Sequence, residues 1–199
     1  MEEKDLTEQE SMLIIQQMIN TAKREQKDNG IGWILWGWLL FAVSLLTYIN
    51  LQTNWFSTWY FWNAFGILSL LLLLYSTIRY FYFRKMERAK TYTGELFRKL
   101  NFGFFISIAF IIIGINKGID PLRGFPLLIG LYGFWILIYG TALDFRPSII
   151  AAYVTWAFGV TAFFVNTFGS VMLLHAASVL FGYIIPGHIA YSQFRKLNR

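Results

Sequence analysis

The chain has 199 residues, of which 56% are apolar, 20% aromatic and only 14% charged, with a mean hydropathy of +0.49. Soluble domains carry roughly 25% charged residues, so this composition excludes an ordinary soluble fold and requires lipid around much of the surface. The net charge of +6 sits beside hydrophobic runs, which suits anionic headgroups and positive-inside orientation; no motif points to nucleic acid. The absence of Cys excludes disulfides, thiol catalysis and thiolate metal sites.

Residues 1–29 read as a cytoplasmic segment of their own. The start Met1-Glu2-Glu3-Lys4-Asp5 is too polar for a cleavable signal peptide. Thr7-Glu8-Gln9-Glu10 is a capping box, in which the Thr7 hydroxyl accepts from the Glu10 amide and the Glu10 carboxylate reaches back. Met12, Ile15, Ile19 and Ala22 then fall on one stripe of a helix. Acids stand early and Lys23, Arg24 and Lys27 late, as the helix dipole favours. Asn29-Gly30 stops the helix.

Six hydrophobic runs follow over 30–199: Trp33 to Leu51, Trp59 to Tyr80, Leu100 to Ile115, Phe125 to Leu143, Ser148 to Val165 and Phe168 to Ile189. Each approaches the roughly 20 residues that cross a hydrocarbon core; the third is short and draws on the amphipathic stretch from Glu95. Trp55, Phe56, Trp59 and Trp62 gather at one interface, and Trp33, Tyr80, Phe81 and Tyr82 at the other. Of 17 Lys and Arg only Lys117 and Arg123 fall on the outer side, and no acid falls in a span core. The expected fold is an all-α polytopic membrane bundle with six transmembrane helices, N-in and C-in, in a bacterial cytoplasmic membrane.

The turn Asp144-Phe145-Arg146-Pro147 joins spans four and five, and Asn166-Thr167-Phe168-Gly169 joins five and six. Connections this short make spans four to six antiparallel neighbours in one compact unit. Small residues recur every fourth position at Ala151, Thr155 and Gly159, and in the same register, with Leu174 intervening, at Ser170, Ser178 and Gly182. Such stripes serve intramolecular packing or a dimer seam.

The candidate functional residues are few. Pro186 cannot donate to the Gly182 carbonyl and its ring crowds that turn, so a kink is expected in span six, as shape adjustment or as a hinge. His175 lies within span six; it is either a neutral His bonded to a neighbouring helix or a functional group. His188 is 13 positions further along, roughly 20 Å on one helix, too far to share a metal with His175. Arg79, Asp144 and Arg146 gather at the inner interface, as anchors or a ligand site, and an Arg79–Asp144 pair is within reach. Neither a Walker A motif, HExxH nor GxSxG is present. No catalytic residue, metal site or cofactor is expected, and the chain is not expected to be an enzyme. Acid-free spans also argue against ion-coupled transport.

Four stretches carry a resemblance: Glu10-Ser11-Met12-Leu13-Ile14-Ile15-Gln16-Gln17-Met18-Ile19, Leu35-Trp36-Gly37-Trp38, Phe145-Arg146-Pro147 and Gly182-Tyr183-Ile184-Ile185-Pro186-Gly187. Together they resemble a family of small six-span integral membrane proteins of Bacteroidota-type bacteria, for which no reaction is assigned. The resemblance implies a regulatory or signalling role. The leading expectation is a non-enzymatic membrane module that docks a cytoplasmic protein partner, or a second copy of itself, through the N-terminal helix. That helix alternatively lies on the lipid surface. The other expectation is a small permease or ligand-binding membrane protein built on the kinked span six.

Overall fold

A computed structural model describes residues 9, 12–13, 30–82 and 92–197. The expected helix over 1–29 and the basic residues from Arg84 to Lys90 lie outside the described residues, save for Gln9, Met12 and Leu13, which are helical. The chain is all-helical, with no strand among the described residues. In order come α1 (Ile31–Thr53), α2 (Tyr60–Tyr82), α3 (Tyr92–Asn116), α4 (Pro121–Ala142), α5 (Arg146–Ala162) and α6 (Phe168–Val179). A π-helical turn (Leu180–Ile184) leads directly into α7 (Ile185–Leu197), so residues 168–197 make one rod. Among the described residues, four helical stretches are long and apolar enough to cross a membrane: Ile31–Thr53, Leu96–Asn116, Pro121–Ala142 and Phe168–Lys196.

Local chemistry sets the ends of these helices. The Asp120 carboxylate accepts from the Leu122 amide at 3.0 Å, and Pro121 opens α4, where a missing N–H costs nothing. The Thr167 hydroxyl caps α6 by accepting from the Ser170 amide at 3.2 Å. Two helices close in Schellman motifs. After α3, the Ile119 amide donates to the Gly114 carbonyl at 2.9 Å, with Gly118 at φ 120°. After α4, the Phe145 amide donates to the Gly140 carbonyl at 2.7 Å, with Asp144 at φ 52°.

Packing divides the helices into one close group and two outer helices. α4, α5 and the rod pack closely, as the short connections require, and α1 joins them along the rod. Gly37 makes that approach: a Cβ there would meet Ile184 Cγ1 at 2.8 Å and Tyr183 Cβ at 3.0 Å. Gly30, in the left-handed region at φ 71°, seats the start of α1 against the Gly187 carbonyl. The small-residue stripe on α5 is used inside the molecule. Ala151, Thr155 and Gly159 are all buried, Gly159 against Ile129 and Thr155 against Gly182. The Trp156 indole donates to the Gly130 carbonyl at 2.8 Å, tying α5 to α4.

α2 and α3 stand apart from each other, α2 packing on α1 and α3 on α4. Only 6% of the apolar window of α3 is buried, against 50% for the rod. Their outward faces carry Leu71, Tyr75, Phe102, Phe110 and Ile113. Apolar surface so extensive is at home against lipid tails. A crevice lies between these two helices and the packed core.

Candidate functional site

The crevice has a volume of about 920 Å³, within the range of small-molecule sites. Its walls come from five elements: Trp36 and Leu40 of α1; Trp62, Phe65 and Gly66 of α2; Phe104, Phe105 and Ile108 of α3; Phe125, Leu128 and Tyr132 of α4; and Tyr183 of the π-helical turn. Polar groups are sparse. Asn63 and Asn116 lie at the end nearest the 54–59 and 117–120 connections, and Ser69 on the α2 wall. Ser69 and Asn116 each donate back to a carbonyl four residues earlier in their own helix. Among the described residues, no Asp, Glu, Lys or Arg lines the crevice.

His175 stands directly behind this wall. It is fully buried, and the rings of Trp62, Tyr132 and Phe125 meet it edge-on at centroid distances of 5.5, 5.6 and 5.8 Å. All three are also crevice walls. Two contacts fix the tautomer of the imidazole. The Ser44 hydroxyl lies 2.7 Å from the Leu40 carbonyl, and a carbonyl only accepts, so the hydroxyl proton is there. Ser44 Oγ is also 2.8 Å from His175 Nδ1 and must therefore accept from it. Nδ1 carries the proton, and Nε2 is left as a bare acceptor. Among the described residues, two buried side-chain polar atoms have no hydrogen-bond partner: His175 Nε2 and Trp62 Nε1. One is an acceptor and the other a donor, on rings in contact.

A polar seam continues from His175 through the packed core. Ser178 Oγ donates to the His175 carbonyl at 2.7 Å, and Thr155 Oγ1 reaches the Ser178 carbonyl at 3.5 Å. Both residues are buried. Composition pointed to none of these partners by itself. The available signal was isolated Ser and Thr within apolar runs, and that signal does not say which of them face one another.

The other expected positions separate in space. Gly182 is buried beside the crevice region, its α-carbon facing Thr155 Oγ1 and Ile136. Pro186 is buried one turn further on. The helix answers Pro186 by widening: the Ile185 amide donates to the Leu180 carbonyl five residues back, and the π-helical turn absorbs the strain as an inserted residue. His188 is exposed and does not join His175. Asp144 and Arg146 are exposed in the α4–α5 turn. The backbone of Asp144 explains its residue type, since Asp is among the few non-glycine residues that tolerate the left-handed region. Arg79 lies in α2, but its side chain is outside the described residues, and so is the expected pair with Asp144. At the opposite end of the bundle, Arg123 Nη1 donates to the Phe163 carbonyl at 3.0 Å, tying the start of α4 to the end of α5.

Comparison with protein-family models, with curated proteins and with solved structures finds no match for this chain.

Proposed function

We propose that this protein binds a membrane-dissolved apolar small molecule in the crevice that α2 and α3 form with the packed core. The observation that carries the reading is the crevice itself. It is aromatic, free of charged residues among those described and bounded on one side by two helices whose outer faces are exposed and apolar. A molecule held there keeps its apolar body out of water throughout, and entry from the bilayer needs no polar path. The reading assigns no chemistry to the site, so the protein acts as a non-enzymatic binding or regulatory module. In it all six helical runs span the bilayer, with both ends cytoplasmic, in a bacterial cytoplasmic membrane. The distribution of Lys and Arg supports that orientation.

Gly66 offers a direct test, because it lines the crevice and a Cβ there meets nothing within 4 Å. Gly66→Phe fills the space without touching backbone. A brominated alkane is expected to quench tryptophan fluorescence of the wild-type protein saturably and to lose saturation in Gly66→Phe. Equal quenching in both proteins refutes the reading. The chain has no Cys, so single cysteines at Ser57, Ile119 and Asp144 test topology. An impermeant thiol reagent applied from outside should label the first two and spare the third.

A second reading rests on the capped apolar stripe of residues 7–24: this helix docks a cytoplasmic partner or a second copy. Removing residues 1–27 should then change the oligomeric state or the proteins that co-purify. If both are unchanged, docking through this helix is ruled out.

A further inference from the structure

The chemistry behind the crevice wall selects among apolar ligands. Trp62 Nε1 is a donor with no partner, and His175 Nε2 is an acceptor with no partner, both fully sheltered. An unpaired polar group in such surroundings is costly. The two rings are in contact at 5.5 Å, and Trp62 belongs to both the crevice wall and the histidine's surroundings. Neither atom is exposed in this structure, so a ligand in the crevice reaches them only if the Trp62 indole turns aside.

Resting on the crevice reading above, we propose that the ligand is a neutral long-chain alcohol or phenol. Its hydroxyl accepts from Trp62 Nε1–H and donates to His175 Nε2. A hydroxyl is the smallest group that does both. A ketone or ester satisfies the indole but leaves Nε2 bare; an alkane satisfies neither. A carboxylate or ammonium would bring an uncompensated charge into a site with no charged wall residue among the described residues. The Ser44–Leu40 contact holds the selectivity in place, because it spends the hydroxyl proton that would otherwise reverse the imidazole tautomer.

The test compares three ω-brominated probes of equal chain length: an alcohol, a methyl ester and an alkane. Dissociation constants are measured by native mass spectrometry on the full chain. The wild type should bind the alcohol about tenfold or more tighter than the alkane, with the ester between, since each hydrogen bond contributes up to roughly tenfold. Trp62→Phe keeps the ring and removes the N–H; it should erase the ester's advantage and most of the alcohol's. His175→Asn keeps a donor toward Ser44 and removes the Nε2 acceptor; it should bring the alcohol down to the ester. If His175→Asn does not fold, Trp62→Phe decides alone. Equal affinity for all three probes, still blocked by Gly66→Phe, overturns the hydroxyl assignment, leaves the crevice reading standing, and gives the two atoms to internal water. A preference for alcohol that survives Trp62→Phe also overturns it. Absence of saturable binding for every probe overturns the crevice reading itself.

Discussion

Gly182→Ala isolates the contact between the π-helical turn and α5. A Cβ at Gly182 would lie 2.6 Å from Thr155 Oγ1 and 2.8 Å from Ile136 Cδ1. The isoleucine methyl is the free end of a side chain and can turn away. The threonine hydroxyl is on a stiff, β-branched side chain in a buried helix face, and moving it gives up its approach to the Ser178 carbonyl. Overpacking of this kind costs about 1–3 kcal/mol. The substitution also gains helix propensity, about 1 kcal/mol, which masks part of the cost. Gly130→Ala supplies the correction, because a Cβ there meets nothing within 4 Å. Reversible unfolding in mixed micelles, followed by tryptophan fluorescence, should place Gly182→Ala about 1–3 kcal/mol below Gly130→Ala. Adding Thr155→Ala to Gly182→Ala should recover about 1–2 kcal/mol of that difference as a coupling energy. Equal stabilities for the two alanine variants, or zero coupling to Thr155, would falsify the argument.

Three further outcomes follow from particular contacts. Nitrogen NMR of labelled histidine should report a proton on Nδ1 of His175, because the Ser44 hydroxyl is spent on Leu40; Ser44→Ala should cost about 1–3 kcal/mol by leaving that donor unpaired, and an Nε2–H signal in the wild type refutes the assignment. Asp144→Gly should be neutral or stabilising, and Asp144→Val should cost about 1–2 kcal/mol, because the position needs a left-handed backbone; equal losses for both in thermal unfolding would show that the carboxylate itself matters. Gly133→Ala should destabilise by about 1–3 kcal/mol in the same assay, because its Cβ runs into the Trp156 ring and strains the indole bond to Gly130; a loss no larger than that of Gly130→Ala sinks the account.

Much of the local architecture was legible in the residues. The apolar runs appear as helices, and Asp120, Thr167 and the tight α4–α5 turn sit where their chemistry puts them. At the expected kink a π-helical turn stands just before Pro186, where an inserted residue absorbs proline's lost hydrogen bond, one of the irregularities at which helices bend. The candidate site was half legible. His175 stands out as an ionisable group in an apolar run, and the structure gives it Ser44 as its partner on a neighbouring helix. Trp62 reads as one interfacial aromatic among several, and Ser44 as an unremarkable small residue.

By itself the sequence determined that the chain is apolar enough for lipid to be its solvent, that helices carry the fold, and where most of them start and stop. Those outcomes depend on composition, on periodicity and on groups a few residues apart, all of which are local. Only the tertiary structure decided that α1 lies against the rod, bringing Ser44 to His175 across 131 positions. It also decided that α2 and α3 stand away from the core, opening an aromatic crevice beside that histidine. In lipid no hydrophobic force ranks one apolar face above another. Helix partners are chosen by close steric fit, at positions such as Gly37, Gly182 and Gly187, and by buried hydrogen bonds such as Ser44–His175, which exist only once the helices have met.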